Sequence, residues 1–162
     1  MGILVDLMSD YLFGDAQTPR TGPEAARWVS NLYGSGRAAS RATGIPESTL
    51  RGWRKGVQPK GPAAARLLRL VRVAAPNLNY ARDHGDLTIQ ATVQFSGDRR
   101  DRIIHPGRYI PRPLIRRILT EWANLRDQTA ETMIHNAVMK YYFDAAATET
   151  LLYMQPTRVW FE

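Results

Sequence analysis

Residues 36–54 read GRAASRATGIPESTLRGWR, and their spacing predicts two short helices that cross at a steep angle around a tight turn. A steep crossing needs small side chains on the first helix, and Ala39 and Ser40 provide them. Gly44 tolerates the positive φ angle that such a turn requires. Ile45 then fills the space between the two helices. The stretch therefore predicts a helix-turn-helix, the arrangement in which many proteins present a helix to DNA.

The second predicted helix has one apolar face and one polar face. Leu50 and Trp53, three residues apart, form the face that packs on the rest of the domain. Ser48 and Arg51 are of the types that read base edges in a DNA groove, and Thr49 lies beside them. Phosphate contacts are predicted for four basic side chains: Arg37, Arg54, Lys55 and Lys60.

Two features of this region leave alternatives open. Glu47 is an acceptor from cytosine, a partner that orients an arginine, or an acidic residue favoured by its place at a helix N-terminus. Arg66, Arg69 and Arg72 recur every three residues on the next predicted helix. They line a phosphate backbone, or they form the solvated face of an amphipathic helix.

The distribution of charge separates a DNA-binding helix pair from a plain structural hairpin, which has similar small and apolar residues. The 162 residues include 22 basic and 15 acidic side chains, for a net charge of +7 and an isoelectric point near 10.1. Residues 36–75 alone carry nine basic side chains and one acidic side chain. Residues 1–35 and 121–162 are net negative. Such asymmetry is typical of a nucleic-acid-binding module, although a bias towards arginine also follows from GC-rich coding.

Several functional classes find no support in the sequence. There is no cysteine, which excludes disulfide scaffolds and cysteine-ligated metals, and the apolar runs are too short to cross a membrane. His84, His105 and His135 are far apart, and no phosphate-binding loop, dinucleotide fingerprint or nucleophile elbow occurs. We therefore expect no enzyme activity, metal, cofactor or membrane. Core or staple positions rather than base-stacking platforms are predicted for the four tryptophans, Trp28, Trp53, Trp122 and Trp160.

The apolar period changes near residue 86 and predicts an α+β fold. Apolar and polar residues alternate in a predicted strand over 86–95. A polar loop is expected at 96–101, and two further strands near 102–110 and 150–161, with two helices between them. The predicted architecture is an N-terminal helix-turn-helix domain followed by a small α+β domain. The predicted domain limits are 1–76 for DNA binding, 77–85 for a linker and 86–162 for priming or dimerisation.

In its layout, nearly the whole chain resembles the telomere terminal proteins of linear actinobacterial chromosomes and plasmids. The helix-turn-helix in the first half and the alternating strand ending at Phe95 both contribute to this resemblance. The remaining features are the Met-Gly-Ile start, the basic helix from Pro62 to Leu67, Pro-Gly-Arg-Tyr at 106–109, Tyr-Tyr-Phe at 141–143 and Thr-Arg-Val-Trp-Phe at 157–161.

The resemblance implies a protein of the bacterial cytoplasm and nucleoid that binds single- or double-stranded telomeric DNA ends. Such proteins offer a hydroxyl to a DNA polymerase as the primer for end replication, with a telomere-associated protein as a further partner, and stay joined to the 5′ end. The family's acceptor is a threonine in the loop after the alternating strand, where this chain has only Ser96. The candidate acceptors are therefore Ser96 and then Tyr109, unless Ser96 is an ordinary turn residue and this protein does not prime. The alternative function is a transcriptional regulator or plasmid-control protein that forms a homodimer through its C-terminal domain.

Overall fold

The computed structural model describes residues 2–15, 19, 21–95, 97–143 and 151–162. Over these residues the chain forms eight α-helices and one three-stranded antiparallel sheet, so the predicted α+β class is confirmed. The helices are α1 (Ile3–Phe13), α2 (Gly22–Leu32), α3 (Gly36–Thr43), α4 (Glu47–Arg54), α5 (Gly61–Val73), α6 (Leu78–Asp83), α7 (Arg112–Ala123) and α8 (Asp127–Val138). The strands are β1 (Leu87–Phe95), β2 (Asp98–Ile104) and β3 (Tyr153–Phe161). A 3-10 turn spans Pro106–Arg108, and a π-helical turn, Met139–Phe143, follows α8.

The chain divides into two compact units. The first, which we call the helical unit, comprises residues 16–75. The second, which we call the sheet unit, comprises residues 1–15 together with 76–162. The division predicted from the sequence is therefore wrong at its N-terminal end, because α1 belongs to the sheet unit. The apolar face of α1 packs against β3 and α8, which no pattern within α1 itself reveals.

Contacts at both ends of α1 fix it within the sheet unit. At its start, the Glu131 carboxylate accepts hydrogen bonds from the backbone N–H groups of Leu4 and Val5, at 3.3 and 2.7 Å. Near its end, the Tyr11 hydroxyl donates to the Phe161 carbonyl oxygen at 3.1 Å. Burial, with a smaller contribution from a neighbouring tyrosine, raises the pKa of Tyr11, so its hydroxyl remains a donor. The bonds to Glu131 satisfy N–H groups that a free helix start exposes, and the Tyr11 bond joins α1 to the end of β3.

Residues 77–85 contain a packed helix rather than the predicted linker. The α6 residues Leu78 and Ala81 are buried. The Asn77 side-chain amide donates to the Tyr11 carbonyl oxygen at 2.6 Å, which ties the start of α6 to α1. The polar composition of this stretch indicated a linker, but contacts with a distant part of the chain decide its structure.

The sheet has the strand order β2-β1-β3, with both neighbours antiparallel to β1. The predictions over 86–95 and 150–161 agree closely with β1 and β3, although residue 150 lies outside the described residues. The prediction of a strand over 102–110 is wrong, because β2 begins at Asp98 and ends at Ile104. Gly97, with a φ of 84°, reverses the chain directly after β1, so most of the predicted loop at 96–101 is strand.

The two faces of the sheet differ in burial. On β1, the side chains of Ile89, Ala91 and Val93 are almost fully buried and contribute to the core of the sheet unit. Trp122 on α7 lies in the same unit, where it is fully buried and donates to the Ser9 hydroxyl at 2.8 Å. The alternate residues of β1 are polar and at least partly accessible from Gln90 onward. One face of the sheet therefore serves the core, and the other face is open to solvent.

Candidate nucleic-acid interface

The turn between α3 and α4 has the geometry that its sequence predicts. Ser35 begins α3 by accepting a hydrogen bond from the Ala38 N–H at 3.1 Å. Gly44 ends α3 in the left-handed region, with a φ of 70°, and its N–H donates to the Ser40 carbonyl oxygen at 2.8 Å. A Cβ atom at Gly44 would lie 2.9 Å from the Arg66 Nη2 atom. The backbone angle therefore favours glycine at this position, whereas the flexible end of Arg66 can move aside.

The predicted inner face of this helix pair is buried. Ala39 and Leu50 are fully buried, and Ile45 and Trp53 are 3% and 6% exposed. The sequence analysis missed Thr43, whose hydroxyl donates to the Ala39 carbonyl oxygen at 2.7 Å and accepts from the Ile45 N–H at 3.2 Å. Both bonds fix the chain as it leaves α3. Helix α2 supports the helix pair from the buried side, because it packs against α3, α4 and α5. The pair is therefore a rigid element that presents the outer side of α4.

The outer side of α4 is polar and accessible. Ser48, Arg51 and Lys55 are exposed, and their spacing of three and four residues places them on one side of the helix, whereas Thr49 is half-buried. Arg51 Nη2 lies 3.4 Å from Glu47 Oε1, with the two side chains 58% and 39% exposed. Exposed pairs of this kind contribute little to stability. Arg51 is therefore held near Glu47 and remains available to another acceptor.

Arg54 lies apart from the outer side of α4. Its side chain is half-buried, and its Nε atom is buried with no hydrogen-bond partner among the described residues. Its Nη2 atom is 3.1 Å from where a Cβ atom on Gly36 would lie, so the guanidinium covers the first turn of α3. Arg37, whose side chain is exposed, directly follows Gly36 in the sequence. The Arg27 Nε atom donates to the Arg54 carbonyl oxygen at 3.2 Å. A cation beside a helix N-terminus is an arrangement that favours an anion.

The basic residues of α5 differ from one another in their surroundings. Arg66 approaches the turn at Gly44 and is still exposed overall. Arg69 is also exposed, whereas Arg72 is half-buried. Lys60, directly before α5, is exposed. The predicted row of three arginines therefore has two accessible members, of which Arg66 is the one linked to the α3–α4 turn.

Net charge distinguishes the helical unit from the sheet unit. The helical unit carries eleven basic and two acidic side chains, whereas the sheet unit carries eleven basic and thirteen acidic side chains.

Arg27 and Arg41 were not among the predicted site residues. Arg41 could have been found, because it lies four residues after Arg37 on α3. The exposed basic side chains described in the helical unit are Arg27, Arg37, Arg41, Arg51, Lys55, Lys60, Arg66 and Arg69.

Of the two candidate nucleotide acceptors, only Tyr109 lies in the part of the chain that the structure describes. Ser96 lies outside the described residues. Tyr109 follows the 3-10 turn, is 52% exposed, and its ring lies 6.0 Å from that of Tyr142. Gly107 holds this turn close to β1, since a Cβ atom there would collide with the Leu87 backbone. No group in the described part of the chain forms a hydrogen bond with the Tyr109 hydroxyl, which is therefore accessible.

Other kinds of site were sought in the same residues. Over the described ranges, no three His, Cys, Asp or Glu side chains lie close enough together to hold a metal ion. No helix within those ranges is both long and apolar enough to span a membrane. The accessible basic side chains of the helical unit are thus the leading candidate site.

Comparisons with other proteins give no independent assignment. No family model, no characterised protein and no solved structure matches this chain. A functional conclusion therefore depends on the geometry and charge of the chain's own residues.

Proposed function

We propose that the helical unit is a helix-turn-helix domain that binds duplex DNA, with α4 as the helix that enters the major groove. The arrangement of α3 and α4 carries this proposal. Their inner side is filled by buried apolar side chains, and the outer side of α4 presents hydrogen-bonding and cationic groups. A plain structural hairpin needs the filled inner side, but it has no need for eleven basic side chains against two acidic ones.

Sequence recognition is assigned to the exposed side chains of α4. Arg51 forms two hydrogen bonds with one guanine edge, and Ser48 donates to or accepts from a neighbouring base. Thr49 lies beside them and contributes a hydroxyl or a methyl contact. Glu47 holds Arg51 in the free protein and releases it when a base takes its place.

Phosphate contacts are assigned to basic groups around α4. Arg37 and Arg54 lie at the first turn of α3, where backbone N–H groups add to their attraction for an anion. Lys55 and Lys60 flank the segment between α4 and α5. Arg66 and Arg69 extend the same set on α5. These contacts fix the orientation of the domain and make its affinity depend on salt.

We further propose that the whole chain is a terminal protein that primes replication of linear DNA ends. The resemblance in layout and the accessible Tyr109 hydroxyl support this proposal, with Ser96 as the other candidate acceptor. The hydroxyl oxygen attacks the α-phosphorus of a deoxynucleoside triphosphate. A phosphoester bond forms, the α–β anhydride bond breaks, pyrophosphate leaves, and a DNA polymerase provides the metal ions and the base that takes the proton.

The DNA-binding proposal is tested by selecting the preferred site from a random duplex library and measuring the affinity of variants for it. We expect Arg51→Ala to weaken binding about tenfold and to relax preference at one base pair. Arg117→Ala is the matched control, because Arg117 is an exposed arginine on α7 of the sheet unit. An unchanged affinity in Arg51→Ala, or equal losses in both variants, contradicts the assignment of α4.

The priming proposal is tested by recovering the protein from its host, digesting attached DNA with nuclease and analysing the peptides by mass spectrometry. We expect a deoxynucleoside monophosphate on Tyr109 or Ser96. If Tyr109 is the acceptor, Tyr109→Phe abolishes the adduct and Tyr141→Phe leaves it intact. An unmodified protein that protects an internal two-fold DNA site instead supports the regulator.

A further inference from the structure

The side of the sheet opposite the core is accessible from Gln90 of β1 onward, whereas Thr88, the partner of Trp160, is buried. Strand register defines its members, because directly paired residues of antiparallel strands point to the same side. We call this surface the open sheet face. Three rows of paired side chains cross this face from β2 through β1 to β3. The first row contains Ile103, Gln90 and Arg158, the second Asp101, Thr92 and Gln155, and the third Arg99, Gln94 and Tyr153. Trp160 lies beyond the first row.

Two aromatic side chains stand on the open sheet face, each beside an arginine. Tyr153 is 40% exposed, and the Arg99 guanidinium carbon lies 5.2 Å from the centre of its ring. Trp160 is half-exposed, in contrast to the predicted core position, and the Arg158 guanidinium carbon lies 5.0 Å from its ring. Their partners on β1 are six residues apart, so the two rings are separated by about 20 Å. The face thus offers two flat platforms with a cation over each.

Polar groups lie between the two platforms. The side chains of Gln90, Gln94 and Gln155 provide amide donors and acceptors, and the Tyr153 hydroxyl donates to Gln155 Oε1 at 2.8 Å. Amides of this kind form hydrogen bonds with the base edges of unpaired nucleotides. Bases in a duplex stack on one another and do not reach such rings, so the arrangement suits a single strand.

The charge on the strands favours a polyanion. On the open sheet face the strands carry Arg99 and Arg158 against Asp101, because the register places Arg100, Arg102 and the second strand aspartate, Asp98, on the core side. The sheet unit as a whole is net negative. Both aspartates have partners: Asp98 pairs with Arg100 at 2.8 Å, and Asp101 accepts from the Thr92 hydroxyl at 2.5 Å. A third carboxylate lies beside one platform, since Glu162 Oε1 accepts from the Trp160 Nε1–H group at 2.9 Å, and the charge argument is therefore stronger for Arg99 and Tyr153.

We propose that the open sheet face binds single-stranded DNA, whose bases stack on Tyr153 and Trp160. On binding, Arg99 and Arg158 turn from the rings towards the phosphates or stack on the outer side of the bases. The site is distinct from α4, which binds duplex DNA in the preceding proposal. Only the choice of DNA over RNA rests on that proposed function.

The test is a titration of the full-length protein against a labelled oligodeoxythymidylate of about sixteen nucleotides, followed by anisotropy. We expect Tyr153→Thr and Trp160→Thr each to weaken single-strand binding about tenfold, whereas Tyr153→Phe retains it because the ring remains. Leu152→Thr is the matched control: Leu152 is exposed and directly precedes β3, and it is not among the residues that the strand register places on the open sheet face. Arg99→Ala gives a further expected loss of several-fold without removing either aromatic ring.

Duplex affinity is measured on the same variants, with Arg51→Ala included. Loss of single-strand binding in Tyr153→Thr with unchanged duplex binding supports the proposal, and it does so even if Arg51→Ala shows that α4 does not bind duplex DNA. Equal single-strand affinity in wild type, Tyr153→Thr and Arg99→Ala overturns it, as does the absence of single-strand binding. Tighter binding to oligouridylate than to oligodeoxythymidylate overturns the choice of DNA.

Discussion

The helical unit and the sheet unit contain equal numbers of basic side chains but differ by eleven in net charge, +9 against −2. The difference lies in the acidic residues, of which the sheet unit has thirteen and the helical unit two. In the sheet unit, Arg112 pairs with Asp86 at 3.1 Å, and Arg126 pairs with Glu121 at 3.2 Å. Counting arginines alone therefore does not distinguish the two units, whereas the balance of both charges does.

One arginine of the sheet unit also serves its structure. Arg112 illustrates this, because its Nη1 atom donates to the carbonyl oxygens of Ala81 and Gly85, the latter at 2.5 Å. These carbonyls lie at the end of α6, where a cation satisfies groups that the helix leaves unpaired. An arginine in that position cannot move to a phosphate without exposing the helix end. Arg112 is an exception, because the other basic side chains of the sheet unit are exposed, so the contrast between the two units is one of charge balance.

The largest expected effect that separates the two units comes from removing a buried ring. Trp53→Ala is expected to destabilise the helical unit by about 3–5 kcal/mol, because it leaves a cavity between α4 and its neighbours. Amide hydrogen exchange should show lost protection in α3 and α4, while β1 remains protected. Trp122→Ala is the reciprocal control in the sheet unit. Equal loss of protection in both units from either change would show that they unfold together.

A smaller effect distinguishes two glycines within the helical unit. Gly44→Ala is expected to cost about 1–2 kcal/mol, because the residue has a positive φ. Gly52→Ala is expected to stabilise by about 0.5–1 kcal/mol, since Gly52 is helical and its Cβ atom would meet only Val57 at 4.0 Å. Urea unfolding measures both. Equal effects of the two changes would contradict the turn geometry.

The salt dependence of duplex binding tests the charge comparison directly. Lys60→Ala is expected to weaken binding to all duplex sequences alike and to reduce the slope of log affinity against log salt by about 0.9. Arg117→Ala, in the sheet unit, is expected to leave the slope unchanged. Fluorescence anisotropy over a range of salt concentrations gives both slopes. A reduced slope in Arg117→Ala but not in Lys60→Ala would reverse the assignment of the two units.

The smallest expected effect concerns the pair on α4. Glu47→Gln is expected to lower stability by only about 0.3–0.5 kcal/mol, because the contact with Arg51 is exposed. The same change should raise duplex affinity by about two- to threefold, since Arg51 no longer has to leave a carboxylate. A fall in affinity would instead show that Glu47 accepts a hydrogen bond from a base.

The α3–α4 turn could be predicted because its determinants are local. A glycine, a small residue and an apolar residue within a few positions specify the crossing, and the buried side of α4 follows from a spacing of three. The same analysis missed Thr43, because a threonine that bonds its own helix and the following turn has no distinctive spacing.

The placement of α1 and α6 could not be predicted, because it depends on contacts between distant parts of the chain. The Glu131 carboxylate meets the start of α1 from more than a hundred residues away. β2 was predicted with the wrong bounds, near 102–110, for a different reason: it is an edge strand that is rich in charge and lacks the alternation of apolar and polar residues. The open sheet face was hidden by Pro156 and by a bulge at Thr157, which interrupt the alternation in β3.

The central claim is that the helical unit binds duplex DNA through α4, and amide hydrogen exchange with and without the selected duplex tests it most directly. The account predicts new protection in the first turn of α3 and along α4, residues 36–38 and 47–55, with no change in β1. Protection confined to the sheet unit, or none in α4 at a saturating duplex concentration, would contradict it.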